Sequence, residues 1–268
     1  MALRYVPTMA RKRKSALEQG ALFLVDAEDP AVVWGREIDG HVAGLDEAGR
    51  GPLAGPVVAA CVVLPTPLPA SLMALNDSKK LDEAAREALA PIIEAEALAF
   101  GVAFAEADAI DATNILRASL QAMADALAAC EVMLGRPITA ALLDGNQKAP
   151  LPVHVQQRTL IGGDALSRPI MAASILAKVG RDRRMVQEHA RYPVYGFDGH
   201  KGYGTPAHMK ALAEHGPSPI HRYSFAPVKA AAQAKTPSSV EAKSAVGFIA
   251  DADLLTGGRR DVPVSELP

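Results

Sequence analysis

Four acidic residues fall where short apolar runs give way to turn residues. They are Asp46, Glu47, Asp144 and Asp164. Because ligand sites of open α/β sheets gather at strand ends, these carboxylates are expected to meet outside the packed layers. Carboxylates held together repel one another, and a divalent cation relieves that repulsion. Oxygen-only ligands favour Mg²⁺ or Mn²⁺, although aspartate is also common in turns that bind no metal.

Asp46 and Glu47 present a geometric difficulty, because neighbouring residues of a regular strand point to opposite faces. Both can reach one metal site only if the strand breaks between them. The turn at residues 48–51, Ala-Gly-Arg-Gly, follows directly and favours such a break.

The glycines at positions 49, 51 and 55 suggest a dinucleotide-binding loop, but the match is poor. Their spacing is G-x-G-x-x-x-G rather than G-x-G-x-x-G, and Pro52 lacks an amide that a phosphate would need. A nicotinamide-dependent oxidoreductase is therefore a minor alternative, which a test of NAD binding decides. Glycine also lets the backbone approach a ligand closely, which is the interpretation favoured here.

Two further stretches contain residues suited to nucleic-acid contacts. Lys79 and Lys80 are predicted at the start of a helix, where the helix dipole disfavours cations, so a phosphate contact competes with simple solvation. Lys201 and Tyr203 lie among glycines, and a tyrosine placed there can stack on a sugar or base or pack in the core. No single histidine is predicted to be catalytic.

The composition predicts a soluble globular protein of a reducing compartment. The chain has 268 residues, of which 49% are hydrophobic, and it contains two cysteines without zinc-site spacing. No run of ~20 apolar residues predicts a membrane span. The net charge of −2 taken alone argues against a nucleic-acid binder, but it averages over an acidic and a basic segment. Residues 41–157 carry 7 basic and 14 acidic side chains, whereas residues 158–229 carry 11 basic and 5 acidic ones.

The elements that must position these residues alternate between strands and helices, which predicts an α/β domain. Strands are predicted near residues 41–45, 56–64, 99–105, 138–143 and 153–161. Helices are predicted at residues 81–97, 115–134, 167–189 and 205–215, with caps at Asn114 and Thr205. The predicted divisions are a partly flexible N-terminal extension (1–40), a folded domain with a helical C-terminal part (41–229) and a flexible C-terminal tail (230–268).

Eight motifs, found in order between about Val42 and Val228, resemble those of bacterial ribonuclease HII, the type 2 ribonuclease H. They are GLDEAGRGPLAGPVVAACVVL, DSKKL, NILRASL, LLDGN, GGDAL, MAASILAKVGRDR, HKGYGTPAH and HRYSFAPV. The resemblance implies a ribonuclease H-like mixed β-sheet flanked by helices, with a small helical C-terminal region. It also implies endonucleolytic cleavage of the RNA strand in RNA–DNA hybrids and on the 5′ side of ribonucleotides embedded in duplex DNA.

The same resemblance implies roles for individual residues. The metal-binding and catalytic carboxylates would be Asp46, Glu47, Asp144 and Asp164. Gly49, Arg50 and Gly51 match the turn that contacts the ribose 2′-hydroxyl, and Tyr203 matches a tyrosine that senses the RNA-to-DNA junction. Lys79 and Lys201 complete the predicted substrate contacts. Gly162 departs from the family pattern, which commonly has a basic residue there.

The implied mechanism uses two Mg²⁺ or Mn²⁺ ions, with Asp46 as the candidate bridging ligand. One ion activates a water molecule and the other stabilises the departing 3′-oxygen, giving 3′-hydroxyl and 5′-phosphate ends. The expected partners are RNA–DNA hybrids and ribonucleotide-containing DNA, without a membrane. The expected protein is a cytoplasmic monomer that removes ribonucleotides and processes primers during DNA replication and repair. A non-catalytic hybrid-binding protein is the second alternative.

Overall fold

One mixed five-stranded sheet organises the computed structural model, which describes residues 28–38, 40–73, 75 and 80–235. The strand order is β3-β2-β1-β4-β5. The strands are β1 (Ala43–Ala48), β2 (Val57–Val63), β3 (Ala99–Ala105), β4 (Ala140–Asp144) and β5 (Gln156–Leu160). The central strand β1 pairs antiparallel with β2 and parallel with β4, so β1 and β4 end at the same edge of the sheet.

Helices cover both faces of this sheet. The first four are α1 (Pro30–Glu37), α2 (Glu83–Glu96), α3 (Ala107–Ala112) and α4 (Ile115–Leu134). The remaining ones are α5 (Arg168–Arg191), α6 (Phe197–His200), α7 (Pro206–His215) and α8 (Ala226–Lys235). All seven residues of β2 are buried, as expected for a strand with both faces covered. In the described part of the chain, no helix is long and apolar enough to cross a membrane.

The first turns of α5 lie directly against β1. A Cβ atom added to Gly44 would lie 2.2 Å from the backbone of Pro169, so only glycine allows this approach. Pro169 is tolerated because it occupies the first turn, where its missing amide leaves no hydrogen bond unmade. This contact brings the next turns of α5 beside the end of β1.

The structure confirms the predicted fold class. Helix α4 begins after the Asn114 cap, whose side chain accepts a hydrogen bond from the Arg117 amide, and it ends at Gly135 with φ of 70°. Helix α2 is capped by Asp82 in the same way. Helices α1, α3, α6 and α8 were not predicted, because each has ten residues or fewer and shows little apolar periodicity. Helix α7 is as short as α8, but its Thr205 cap and Pro206 predicted it.

The predicted division at residue 230 falls inside α8, which continues to Lys235. The rest of the predicted tail, residues 236–268, lies outside the described residues, as does the N-terminal part of the predicted extension, residues 1–27.

Candidate active site

Asp46 on β1 and Asp144 at the end of β4 lie side by side on two parallel strands. Leu45 pairs with Leu143, and the two aspartates are the next residues of β1 and β4. Asp46 is 5% exposed. The expected strand break between Asp46 and Glu47 is wrong, because both residues pair regularly with β2 and the strand continues to Ala48.

Asp46, Glu47 and Asp144 nevertheless line a common cavity near the C-terminal ends of β1 and β4. This cavity has a volume of about 270 Å³, and its walls include Asp46, Glu47, Asp144, Arg50 and Tyr203. A smaller cavity of about 70 Å³ on the α4 side is also lined by Glu47 and Asp144. Asp144 and Glu47 therefore line both cavities.

Asp164 is not among the residues that line either of these two cavities. It is 4% exposed and belongs to a short 3₁₀ turn, Gly163–Ala165. Its amide donates a hydrogen bond to the Asp144 Oδ1 atom at 3.4 Å. Within the described ranges, no three His, Cys, Asp or Glu side chains are close enough to hold one metal ion as they stand. The predicted four-carboxylate ligand set therefore stays a prediction.

Burial and mutual repulsion raise the pKa of the central carboxylates. The pKa of Asp46 lies well above its ordinary value, chiefly through burial and then through the charges of Glu47 and Asp144. A hydrogen bond from Ser174 on α5 and another from the Glu47 amide, at 2.7 Å, partly offset this effect. The pKa of Glu47 is also raised by burial, while Arg50 opposes the shift. These groups are thus held where an added cation would be favourable.

The glycine turn beside the carboxylates, which comprises residues 49–56, is held in place by two buried arginines. Arg222 is fully buried, and its guanidinium donates hydrogen bonds to the carbonyl oxygens of Gly49, Arg50, Pro52 and Gly55 at 2.7 to 3.1 Å. Arg181 donates to the carbonyl oxygens of Ala54 and Pro56. The role of these arginines in holding the turn does not follow from the sequence, because their acceptors lie more than a hundred residues away along the chain.

Among the predicted substrate contacts, Arg50 and Tyr203 line the cavity, whereas Lys201 does not. Lys201 is 8% exposed, and its ammonium group bonds to the Asp198 carbonyl oxygen and faces Glu83 at 3.6 Å. The ring of Tyr203 lies 3.6 Å from the position of a Cβ atom on Gly51, so the tyrosine adjoins the glycine turn. Lys79 lies outside the described residues.

Several basic residues of segment 158–229 form ion pairs within the protein. Arg183 pairs with Glu87, and Arg184 and Arg191 both bond to the buried Glu188. The cations that line the larger cavity come from three separate elements. They are Arg50, Arg86 and Lys178. Lys178 also bonds to Asp182 at 2.6 Å. Tertiary structure, rather than the charge of a segment, thus decides which cations reach the site.

Comparisons with known proteins find relatives over most of the chain. The family model described as ribonuclease HII matches residues 43–228. The chain is 51% identical over 214 residues to ribonuclease HII of Bordetella pertussis, covering 80% of this chain and 98% of that protein. It is 52% identical over 190 residues to ribonuclease HII of Burkholderia pseudomallei, covering 71% and 85%. The crystal structure of ribonuclease H2 from Pyrococcus horikoshii superimposes with a TM-score of 0.63 at 25% identity, covering 72% and 97%.

Proposed function

Because the chain belongs to the ribonuclease HII family, and is therefore an endonuclease of the ribonuclease H type acting on RNA–DNA, we propose that it cleaves on the 5′ side of ribonucleotides embedded in duplex DNA. The products would carry 3′-hydroxyl and 5′-phosphate ends. The observation that supports this most is the cavity shared by three carboxylates, the glycine turn and Tyr203. Acid groups for hydrolysis and groups suited to sugar recognition thus lie in one place.

The donors of the site fit a divalent cation. Asp46, Glu47 and Asp144 offer only oxygen atoms, and burial, followed by the repulsion among these carboxylates, raises the pKa of Asp46 and Glu47. Hard cations such as Mg²⁺ and Mn²⁺ prefer such ligands. Two such ions, held by these residues and Asp164, would supply an activated water molecule and stabilise the leaving 3′-oxygen. Ser174 would orient Asp46 through their hydrogen bond.

The glycine turn would read the ribose 2′-hydroxyl through its backbone. Arg222 and Arg181 hold this turn in place before substrate arrives, so little ordering is needed on binding. A backbone group that pairs with the hydroxyl would lose its partner opposite deoxyribose, which disfavours DNA. Tyr203 would stack on the neighbouring sugar, and Arg50, Arg86 and Lys178 would contact phosphates at the rim.

A duplex of defined sequence with one ribonucleotide tests the proposal. The purified chain is incubated with it, with Mg²⁺ or with EDTA, and the product ends are mapped. We expect a Mg²⁺-dependent cut on the 5′ side of the ribonucleotide, and no cut in the matched all-DNA duplex. Binding without cleavage would support the non-catalytic alternative instead. Such an activity would serve ribonucleotide removal and primer processing in the cytoplasm, during replication and repair.

A further inference from the structure

Three histidines surround the loop that carries Tyr203, and the proposed reaction uses none of them. His208 on α7 and His221 are both fully buried, and His200 stacks on His208 with ring centroids 4.6 Å apart. The two buried rings meet through their Nε2 atoms at 3.0 Å. Two imidazoles in such contact share a single proton between them, so their protonation states are linked.

The neighbouring hydrogen bonds fix where every proton lies. The Ser218 amide donates to His221 Nδ1 at 2.9 Å, so that nitrogen carries no proton. The His221 proton therefore lies on Nε2 and is donated to Nε2 of His208. His208 must then carry its own proton on Nδ1, which lies 2.9 Å from the carbonyl oxygen of Tyr203. The chain of donors runs in one direction and ends on Tyr203.

This chain of hydrogen bonds, from Ser218 through His221 and His208 to Tyr203, is called the histidine relay below. It requires both imidazoles to be neutral, and their surroundings keep them neutral. Burial lowers the pKa of His221 to about 4, with His208 contributing, and burial also lowers the pKa of His208. A second proton on either ring would set two N–H groups against each other. The relay is thus a fixed set of hydrogen bonds near neutral pH.

The loop of residues 201–203, whose Tyr203 carbonyl oxygen accepts the hydrogen bond from His208, has an unfavourable backbone conformation. Lys201 has φ of 50° and Gly202 has φ of 82°, and a left-handed lysine costs free energy that its surroundings must offset. His200 Nδ1 accepts the Gly202 amide at 3.2 Å on one side, while His208 holds the next residue, Tyr203, on the other. Tyr203 is 46% exposed and lies at the cavity beside the glycine turn, and these backbone bonds contribute to holding it there.

We propose that His208, supported by His221, is a positioning residue that fixes Tyr203 and thereby sets the preference for an isolated ribonucleotide over a continuous RNA–DNA hybrid. The proposal rests on the proposed function. It assigns no proton transfer to either histidine, because neither contacts the cavity. A junction presents one particular sugar to Tyr203, whereas a continuous hybrid offers many equivalent registers. Displacing the ring therefore affects the junction substrate more.

Replacing His208 by asparagine or by glutamine separates its two hydrogen bonds, one to the Tyr203 carbonyl oxygen and one to His221. In His208→Asn the side-chain amide can still donate to the Tyr203 carbonyl oxygen, as Nδ1 does. In His208→Gln the amide reaches towards His221 and leaves that carbonyl without its donor. We expect His208→Gln to lower kcat/KM on the single-ribonucleotide duplex about five- to tenfold more than on the hybrid, as befits one lost buried hydrogen bond. His208→Asn should keep most of the wild-type ratio.

A double-mutant cycle with Tyr203→Ala distinguishes positioning from general stability. If His208 acts through Tyr203, His208→Gln changes the substrate ratio no further once the ring is absent. Circular dichroism and urea unfolding verify that each variant is folded, and His221→Asn repeats the cycle from the other end of the relay. Equal losses on both substrates, or an additive change of the ratio in the Tyr203→Ala background, would overturn the inference. A wild-type protein that cuts neither substrate would instead refute the proposed function.

Discussion

The guanidinium of Arg222 donates a hydrogen bond to the carbonyl oxygen of Gly49 at 2.7 Å, across 173 residues of sequence. Three further carbonyl oxygens of the same turn accept hydrogen bonds from this side chain. Burial, and the charge of Arg181, lower the pKa of Arg222 to about 9. The C-terminal region thus supplies the cation that shapes the turn next to the carboxylates of β1.

Replacing this arginine is expected to be strongly destabilising. In Arg222→Met the volume is largely kept, but three buried carbonyl oxygens and a partly buried one lose a donor, which costs roughly 3 kcal/mol or more. Arg222→Lys keeps the charge and some of the bonds, so its loss should be smaller. Urea unfolding gives both values. The matched control is Arg183→Met, whose exposed ion pair with Glu87 is worth about 1 kcal/mol or less. Similar losses for Arg222→Met and the control would contradict this account.

Asp144→Asn should make the protein more stable and inactive. The charge of Asp144 raises the pKa of both Asp46 and Glu47, so removing it relieves repulsion in the metal-free protein. We expect about 1 kcal/mol higher stability in EDTA, duplex binding close to wild type, and cleavage reduced about 10²-fold or more. The exposed Asp125→Asn on α4 serves as control, with a change within about 0.5 kcal/mol. Near-normal turnover of Asp144→Asn in Mg²⁺ would refute its role as a metal ligand.

Local signals explain which parts of the fold were predictable. Helix α4 carries its own cap at Asn114 and its own stop at Gly135, and its bounds follow from sequence alone. The polar residues at positions 46 and 47 predict an end of strand β1 that is too early, since the strand continues to Ala48. Pairing with β2 continues through both, since tertiary hydrogen bonds outweigh local composition.

The residues of the candidate site that belong to a short sequence motif were predictable. Asp46, Glu47, Arg50 and Tyr203 each belong to a short motif, and all four line the cavity. The support behind them was not predictable for Arg181 and Arg222, because their carbonyl acceptors adjoin them only in the folded chain. His208 lies five residues from Tyr203 in the same motif, but its hydrogen bond to the Tyr203 carbonyl oxygen depends on the folded loop. Lys201 shows the opposite case, since its motif pointed to the substrate but its ammonium group is bound within the protein.

His221 should make stability depend on pH in a defined window. Its pKa is about 4 in the folded protein and 6.5 in the unfolded chain, so between these values only the unfolded chain binds the proton. The free energy of unfolding therefore falls as the pH falls below about 6.5, by about 2 kcal/mol at pH 5 from this group. Urea titrations at pH 7.5 and pH 5 in EDTA measure the change. His221→Gln should show a smaller change, and equal changes in the two proteins would contradict the prediction.

Tyr203→Ala should impair cleavage at a single ribonucleotide about tenfold more than cleavage of a continuous hybrid. The exposed ring stands at the cavity beside the glycine turn and offers a stacking surface to one sugar or base. Steady-state kinetics on the two substrates give the ratio. Tyr223→Ala is a suitable control, because Tyr223 is similarly exposed but does not line the cavity. Equal losses on both substrates would remove the proposed junction role of Tyr203.

Gly49→Ala should be destabilising for a steric reason that can be isolated. Gly49 has φ of 97°, and an added Cβ atom would lie 2.0 Å from Nε of Arg181. Gly145 provides the control, because its φ of 92° imposes the same backbone strain while its Cβ position has no atom within 4 Å. Gly145→Ala is thus expected to cost about 1 kcal/mol, and Gly49→Ala about 2 kcal/mol more, since Arg181 must move and release its carbonyl acceptors. Urea unfolding of the two variants gives the difference, and equal costs would show that Arg181 does not hold the turn in place.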